Sequence, residues 1–147
     1  MFKHVLIPTD GSELARSAIE AGVQLAKALG AKVTAYHAIE IPDVRGVGDE
    51  SFVATTSIKE FEVRLRQQGE RHVAEVQKAG EAAGVACDTY VTMPHTPAHG
   101  IVEAAQDKQC DVIFMASHGR GDLASLVLGS TTHKVLAYTK IPVVVFR

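Results

Sequence analysis

Residues 111–116 (DVIFMA) form a short, almost wholly apolar run that breaks off at Ser117-His118-Gly119-Arg120-Gly121-Asp122. A run of that length without alternation suits a strand buried on both faces of a parallel sheet. The small, turn-forming residues after it suit a loop. Residues 123–128 (LASLVL) follow, and Gly129-Ser130-Thr131-Thr132 then leads into residues 133–138 (HKVLAY). That last stretch reads as a helix opening at Ser130, because Ser and Thr are good N-caps. A buried strand, a glycine loop and a helix start rich in hydroxyls make an anion cradle. Free backbone N–H groups and the positive end of the helix dipole both face the ligand. Phosphates are expected here. The spacing is not a Walker loop, since Ser130 and not Lys follows Gly129, nor the dinucleotide fingerprint, since Gly119-Arg120-Gly121 is followed by Asp122, Leu123 and Ala124.

At 147 residues the chain fits one domain, 1–147, with room for a core. A net charge of −2 offers no general attraction for nucleic acid or an anionic membrane. Trp is absent and aromatics make up 5% of the chain, so stacking readout of single strands is not expected. Cys87 and Cys110 are the only cysteines and neither has a C-x-x-C partner. That argues for a reducing compartment and against a disulfide framework. The start of the chain (MFKHVLIP) runs straight into a strand instead of reading as a signal peptide. No apolar run approaches the roughly 18 residues of a membrane span. The expected location is the cytoplasm.

In chain order, His4-Val5-Leu6-Ile7-Pro8 reads as a buried strand ending at Thr9-Asp10-Gly11-Ser12. Ser12 is expected to cap a helix that Gly30 ends, and residues 31–39 to form a second strand; together these make a right-handed βαβ unit. Residues 40–56 read as a surface loop. Ser57 is expected to cap a long helix through Ala83, with one apolar line and a charged, solvated face. Gly84 closes it, and residues 85–93 read as a third strand. Thr96 caps a short helix with Pro97 at its first position, ending near Lys108. After the fourth strand and the glycine loop, a helix over 130–139 leads to a last strand, residues 141–146 (IPVVVF). Five strands alternating with four helices give an α/β layer sandwich on a parallel sheet.

In open α/β sheets, ligands bind beyond the carboxyl ends of strands where the strand order reverses. Two such ends carry polar residues, Pro8-Thr9-Asp10 and Ser117-His118-Gly119. If the first and fourth strands are neighbours, these ends face each other across one crevice. Asp10 then accepts from a sugar hydroxyl or a base amine, while Gly119, Gly129, Ser130 and Thr131 hold phosphates.

These segments carry a resemblance. Residues 5–12 (VLIPTDGS), the run from Met115 to Arg120, Leu128-Gly129-Ser130 and the ending 140–145 (KIPVVV) resemble the universal stress protein family over the whole chain. Nucleotide-binding members carry G-x2-G-x9-G-[ST]; here Gly119 and Gly129-Ser130 fit it, and Ala116 stands at the first glycine. The resemblance implies a five-stranded sheet in the order 3-2-1-4-5, in a three-layer Rossmann-like sandwich. It implies ATP or AMP, with or without Mg²⁺, in the crevice, held by Pro8, Thr9, Asp10, Ala38, Met115, Ala116, His118, Gly119, Arg120, Gly129, Ser130 and Thr131. It further implies a homodimer through the last strand, at Val143, Val144 and Val145, and a regulatory role in the stress response with a protein partner not named by the sequence. Ala116 is tolerable if its φ is negative and costly if φ is positive.

The alternative in the same family is a nucleotide-free dimeric interaction module, with the phosphate site closed by Ala116. A phosphoacceptor receiver domain is excluded, since Asp10 stands alone and Lys140 precedes its strand. His95 and His99, four residues apart, lack the further ligands a metal site needs. Phosphoryl transfer needs Mg²⁺ ligands; the hydroxyl of Ser130 or Thr131 could supply one, and no acidic residue is evident for a second. The chain therefore reads as a binding protein and not an enzyme, with at most weak incidental ATP hydrolysis.

Overall fold

The computed structural model describes residues 1–42, 55–119 and 128–147, the side chains of 55 and 56 excepted. In chain order the elements are β1 (His4–Pro8), α1 (Glu13–Leu29), β2 (Lys32–Ala38), α2 (Thr55–Ala83), β3 (Cys87–Thr92), α3 (Pro97–Asp107), β4 (Val112–Ala116), α4 (Ser130–Tyr138) and β5 (Val143–Phe146). The strands form one parallel sheet in the order β3-β2-β1-β4-β5. This is the sheet that the family resemblance implied.

Alternation along the strands divides the core between two faces. Val5 and Ile7 of β1, Val33 and Ala35 of β2, and Val112 and Phe114 of β4 pack with α1 and α2 through Ile19, Val23, Val73 and Val76. Leu6, Tyr36, Ile113 and Met115 point the other way, against Ile101, Val102 and Ala105 of α3 and Val135 of α4. Because both faces are covered, the central strands need apolar residues at every position, which is the pattern that marked residues 111–116.

Local signals hold at several ends. The Ser12 hydroxyl accepts from the Ala15 amide at 3.2 Å, and Thr96 accepts from the His99 amide at 3.3 Å with Pro97 in the first turn. Gly30 ends α1 in the left-handed region at φ 61°. Other expected boundaries move. The amide of Ala31 still bonds to the Ala26 carbonyl, and that of Val85 to the Gly80 carbonyl. Residues 31 and 85 therefore complete helix ends, and β2 and β3 begin at Lys32 and Cys87. Helix α2 starts at Thr55, so Ser57 already lies inside it and is not its cap. Helix α4 does open at Ser130, but its N-cap is Gly129 with no side-chain cap bond. The loop read at 40–56 lies outside the described residues over 43–54.

One feature of the register positions the site. β1 pairs with β2 as far as Pro8 opposite Tyr36, and the ladder continues with the Thr9 amide on the Tyr36 carbonyl at 2.9 Å. β1 pairs with β4 only at Val5–Val112 and Leu6–Ile113. Beyond these the two central strands part, and a crevice opens at their carboxyl ends.

Candidate functional site

A cavity of about 460 Å³ occupies that crevice. Of the residues singled out in the sequence, Pro8, Thr9, Asp10, Ala38, Met115, Ala116, His118, Gly119, Ser130 and Thr131 all line it. Gly129 caps the helix directly behind them. Arg120 lies outside the described residues.

On the β1 side, the turn after Pro8 presents Asp10. Its Oδ1 accepts from the Ser12 amide at 2.9 Å, while Oδ2 faces Gly119 across the crevice. Gly11 adopts φ +74°, a conformation that other residues resist, and its amide donates to the Thr9 hydroxyl at 3.2 Å. A carboxylate fixed by a backbone amide in this way is set to accept from a ligand hydroxyl or amine.

On the β4 side, backbone and hydroxyl groups converge. The buried Thr132 hydroxyl lies 3.1 Å from the Ala116 carbonyl and 3.2 Å from that of Ser117. The Gly129 amide donates to the Ser117 carbonyl at 2.8 Å. These contacts strap the start of α4 to the end of β4, so the first-turn amides of α4 open beside Gly119, where an anion is favoured. His118 Nδ1 lies 2.8 Å from the Ser117 hydroxyl. Its buried Nε2 has no hydrogen-bond partner among the described residues, so a ligand oxygen or nitrogen there would satisfy a group otherwise costly to bury. Among the described lining residues there is no Lys or Arg.

Ala116 is compatible with this arrangement. Gln109 is the only non-glycine residue with positive φ among the described residues, so Ala116 carries no left-handed strain. It pairs in register with Phe146, and the cavity remains open beside it.

Sequence reading missed a wall of the cavity formed by α2, with Leu65, Gln68 and His72, and the β2 side chains Tyr36 and His37. Tyr36 is fully buried; its hydroxyl meets that of Thr92 at 2.7 Å, and burial pushes its pKa up to about 12. His72 is 7% exposed on a helix read as one apolar line and a charged, solvated face, with His72 assigned to neither. A histidine at helical spacing with Leu65, Gly69 and Val76 was the available signal. His99, weighed earlier as a metal ligand, instead lies 2.7 Å from the Thr96 hydroxyl and stacks on Tyr138 at 4.9 Å. No group of three or more metal-ligating side chains is found among the described residues. No helix among them is long and apolar enough to cross a membrane.

The universal stress protein family model matches residues 1–147. A universal stress protein of Thermus aquaticus is 34% identical over 148 residues, covering 100% of both chains. One from Methanocaldococcus jannaschii is 30% identical over 147 residues, covering 100% of this chain and 83% of its own. Among solved structures, a universal stress protein in complex with cAMP superposes with a TM-score of 0.68 at 21% identity, covering 99% of this chain and 97% of its own. The universal stress protein from Archaeoglobus fulgidus in complex with dAMP does so at 0.65 and 15% identity, covering 100% and 98%.

Proposed function

From its membership in the universal stress protein family, to which this chain belongs, we propose that it is an adenine-nucleotide-binding regulator. In this reading residues 1–147 act as one domain, cytoplasmic and homodimeric, without a catalytic role of its own beyond incidental ATP hydrolysis. The observation that carries the proposal is the parting of β1 and β4 over a cavity with Asp10 on one rim and the strapped N-terminus of α4 on the other. Asp10 takes a ribose hydroxyl or the base amine, and the backbone after His37, at Ala38, borders the base. The amides and hydroxyls of Ser130 and Thr131, the Gly119 backbone and His118 Nε2 take the phosphates. The nucleotide complexes of structural neighbours, with cAMP and dAMP, support an adenine nucleotide as the ligand class. In this reading the ligand is ATP or AMP. Where Mg²⁺ accompanies ATP, the Ser130 or Thr131 hydroxyl would help hold it.

The test is the ligand content of the purified protein. Denaturation and nucleotide-resolving chromatography of the supernatant, followed by calorimetric titration with ATP and AMP, should give bound adenine nucleotide or micromolar affinity. Folded protein with no nucleotide and no heat would overturn the reading, and the function would then lie with a nucleotide-free dimer surface.

The homodimer is proposed on the edge position of β5. It is the last strand of the sheet, pairs with β4 alone, and leaves Val144 36% exposed. An apolar edge of this kind is satisfied by a second copy across a two-fold axis.

A further inference from the structure

The Thr9–Gly11 turn that presents Asp10 is gripped at both ends by two imidazoles that touch each other. His37 Nδ1 lies 2.8 Å from the Thr9 carbonyl. A carbonyl only accepts, so Nδ1 carries the hydrogen and donates it. At the other end, the space that a Cβ on Gly11 would need is filled by the His72 ring, which supplies the three nearest atoms. The two rings meet edge to face with centroids 4.9 Å apart. Helix α2 seats this pair closely, because a Cβ on Gly69 would stand 2.7 Å from His37 Cδ2.

We propose that His37 and His72 are positioning residues for Asp10: together they couple helix α2 to the turn and fix the carboxylate for ligand. His37 acts through its hydrogen bond to Thr9, and His72 through the volume of its ring against Gly11. The consequence for ligand binding rests on the nucleotide reading above; the consequence for the turn does not.

Two measurements separate these. In the free protein, amide exchange of Gly11 and Ser12 should quicken by about tenfold or more in His37→Phe and His72→Ala, with exchange at Leu6 in the core of β1 unchanged. His37→Asn, which keeps a donor near the Nδ1 position, and His72→Phe, which keeps a ring, should stay close to wild type. In ATP titrations, His37→Phe and His72→Ala should each weaken binding by about tenfold in the wild-type background, and by no more than about twofold when Asp10 is already Ala. A general structural role would instead weaken binding equally in both backgrounds. Unchanged exchange in both folded variants overturns the proposal, as does an equal loss with and without Asp10. Quickened exchange in a wild-type protein that binds neither ATP nor AMP supports the coupling of α2 to the turn and removes the nucleotide reading instead.

Discussion

The Asp10 carboxylate fills the space in front of Gly119: a Cβ at that glycine would stand 2.6 Å from Asp10 Oδ2. The turn after β1 and the loop after β4 thus approach each other as closely as backbone and carboxylate allow, and a side chain at 119 must displace the carboxylate. Gly119→Val should weaken ATP binding by at least about tenfold, the loss of one hydrogen bond to a charged group. Because the residue is exposed, the unfolding midpoint should stay close to wild type. Calorimetry with a parallel thermal melt distinguishes the two.

Thr132 ties the start of α4 to the end of β4 by lying within 3.2 Å of two carbonyls. Thr132→Val keeps the shape and removes the donor at a buried position. The expected cost is about 1–3 kcal/mol of stability, read by urea unfolding, together with weaker ATP binding as the α4 amides lose their registration. Thr132→Ser should recover most of both.

Gly100 in α3 faces the Tyr36 hydroxyl, which lies within contact of where its Cβ would stand, and Pro94 Cβ lies 2.8 Å from the same point. Alanine in an open helix gains up to about 1 kcal/mol over glycine, yet overpacking a tight core costs about 1–3 kcal/mol. Crowding by a ring and a proline outweighs propensity, so Gly100→Ala should lower the unfolding free energy. The same change in the Tyr36→Phe background, where the hydroxyl is gone, should cost less.

At the opposite end of the sheet, the Thr34 hydroxyl lies 2.5 Å from Asp88 Oδ1 and 2.7 Å from His4 Nε2, with Lys108 Nζ 3.2 Å from Asp88 Oδ2. An ionised Asp88 takes the Thr34 hydrogen, so Thr34 accepts from His4. Burial, and then the Lys32 charge, lower the His4 pKa from 6.5 against the pull of Asp88 and Asp111. The unfolded chain therefore binds this proton first as pH falls, and stability should drop below about pH 6.5 until folded His4 is also protonated. Asp88 is pushed up by burial, but its hydrogen bonds from Thr34 and Lys108 and the charges of Lys108 and His4 outweigh that and lower it from 3.8. A second loss should follow below pH 3.8. Urea midpoints measured across pH 3–8 should show both steps, and His4→Gln should remove the first alone.

Val144 is the most open of the β5 valines. If a second copy covers this edge, Val144→Lys should convert the dimer to a monomer at micromolar concentration, measured by light scattering. Affinity for ATP should change by less than about twofold, since the cavity lies at the other side of β4.

Local chemistry made much of this fold readable. Ser12 and Thr96 announced helix starts through bonds made within three residues, with Pro97 beside Thr96 in the first turn, and the unbroken apolar runs of β1 and β4 announced burial on both faces. Helix ends were harder, because Ala31 and Val85 look like strand residues while their amides still serve the preceding helix. Much of the cavity lining was readable because Asp10 and Gly119 lie in two short loops with polar and glycine residues in a recognisable order. Its third wall was not. Gln68 and His72 sit among many charged residues of α2, and only the packing of that helix over His37 turns them inward. That packing joins residues far apart in the chain.

The brief pairing of β1 with β4 also bears on how the protein comes into being. β1 emerges first during synthesis, yet the amide of its first residue, His4, is bound by Asp111, 107 positions later. Its neighbour β2 follows at once and can dock with α1 to form a compact half. The crevice has only one rim until β4, Gly119 and the start of α4 have left the ribosome. A ligand held between Asp10 and Ser130, as proposed, would therefore require that the C-terminal part of the sheet has been translated and has folded against the first strand.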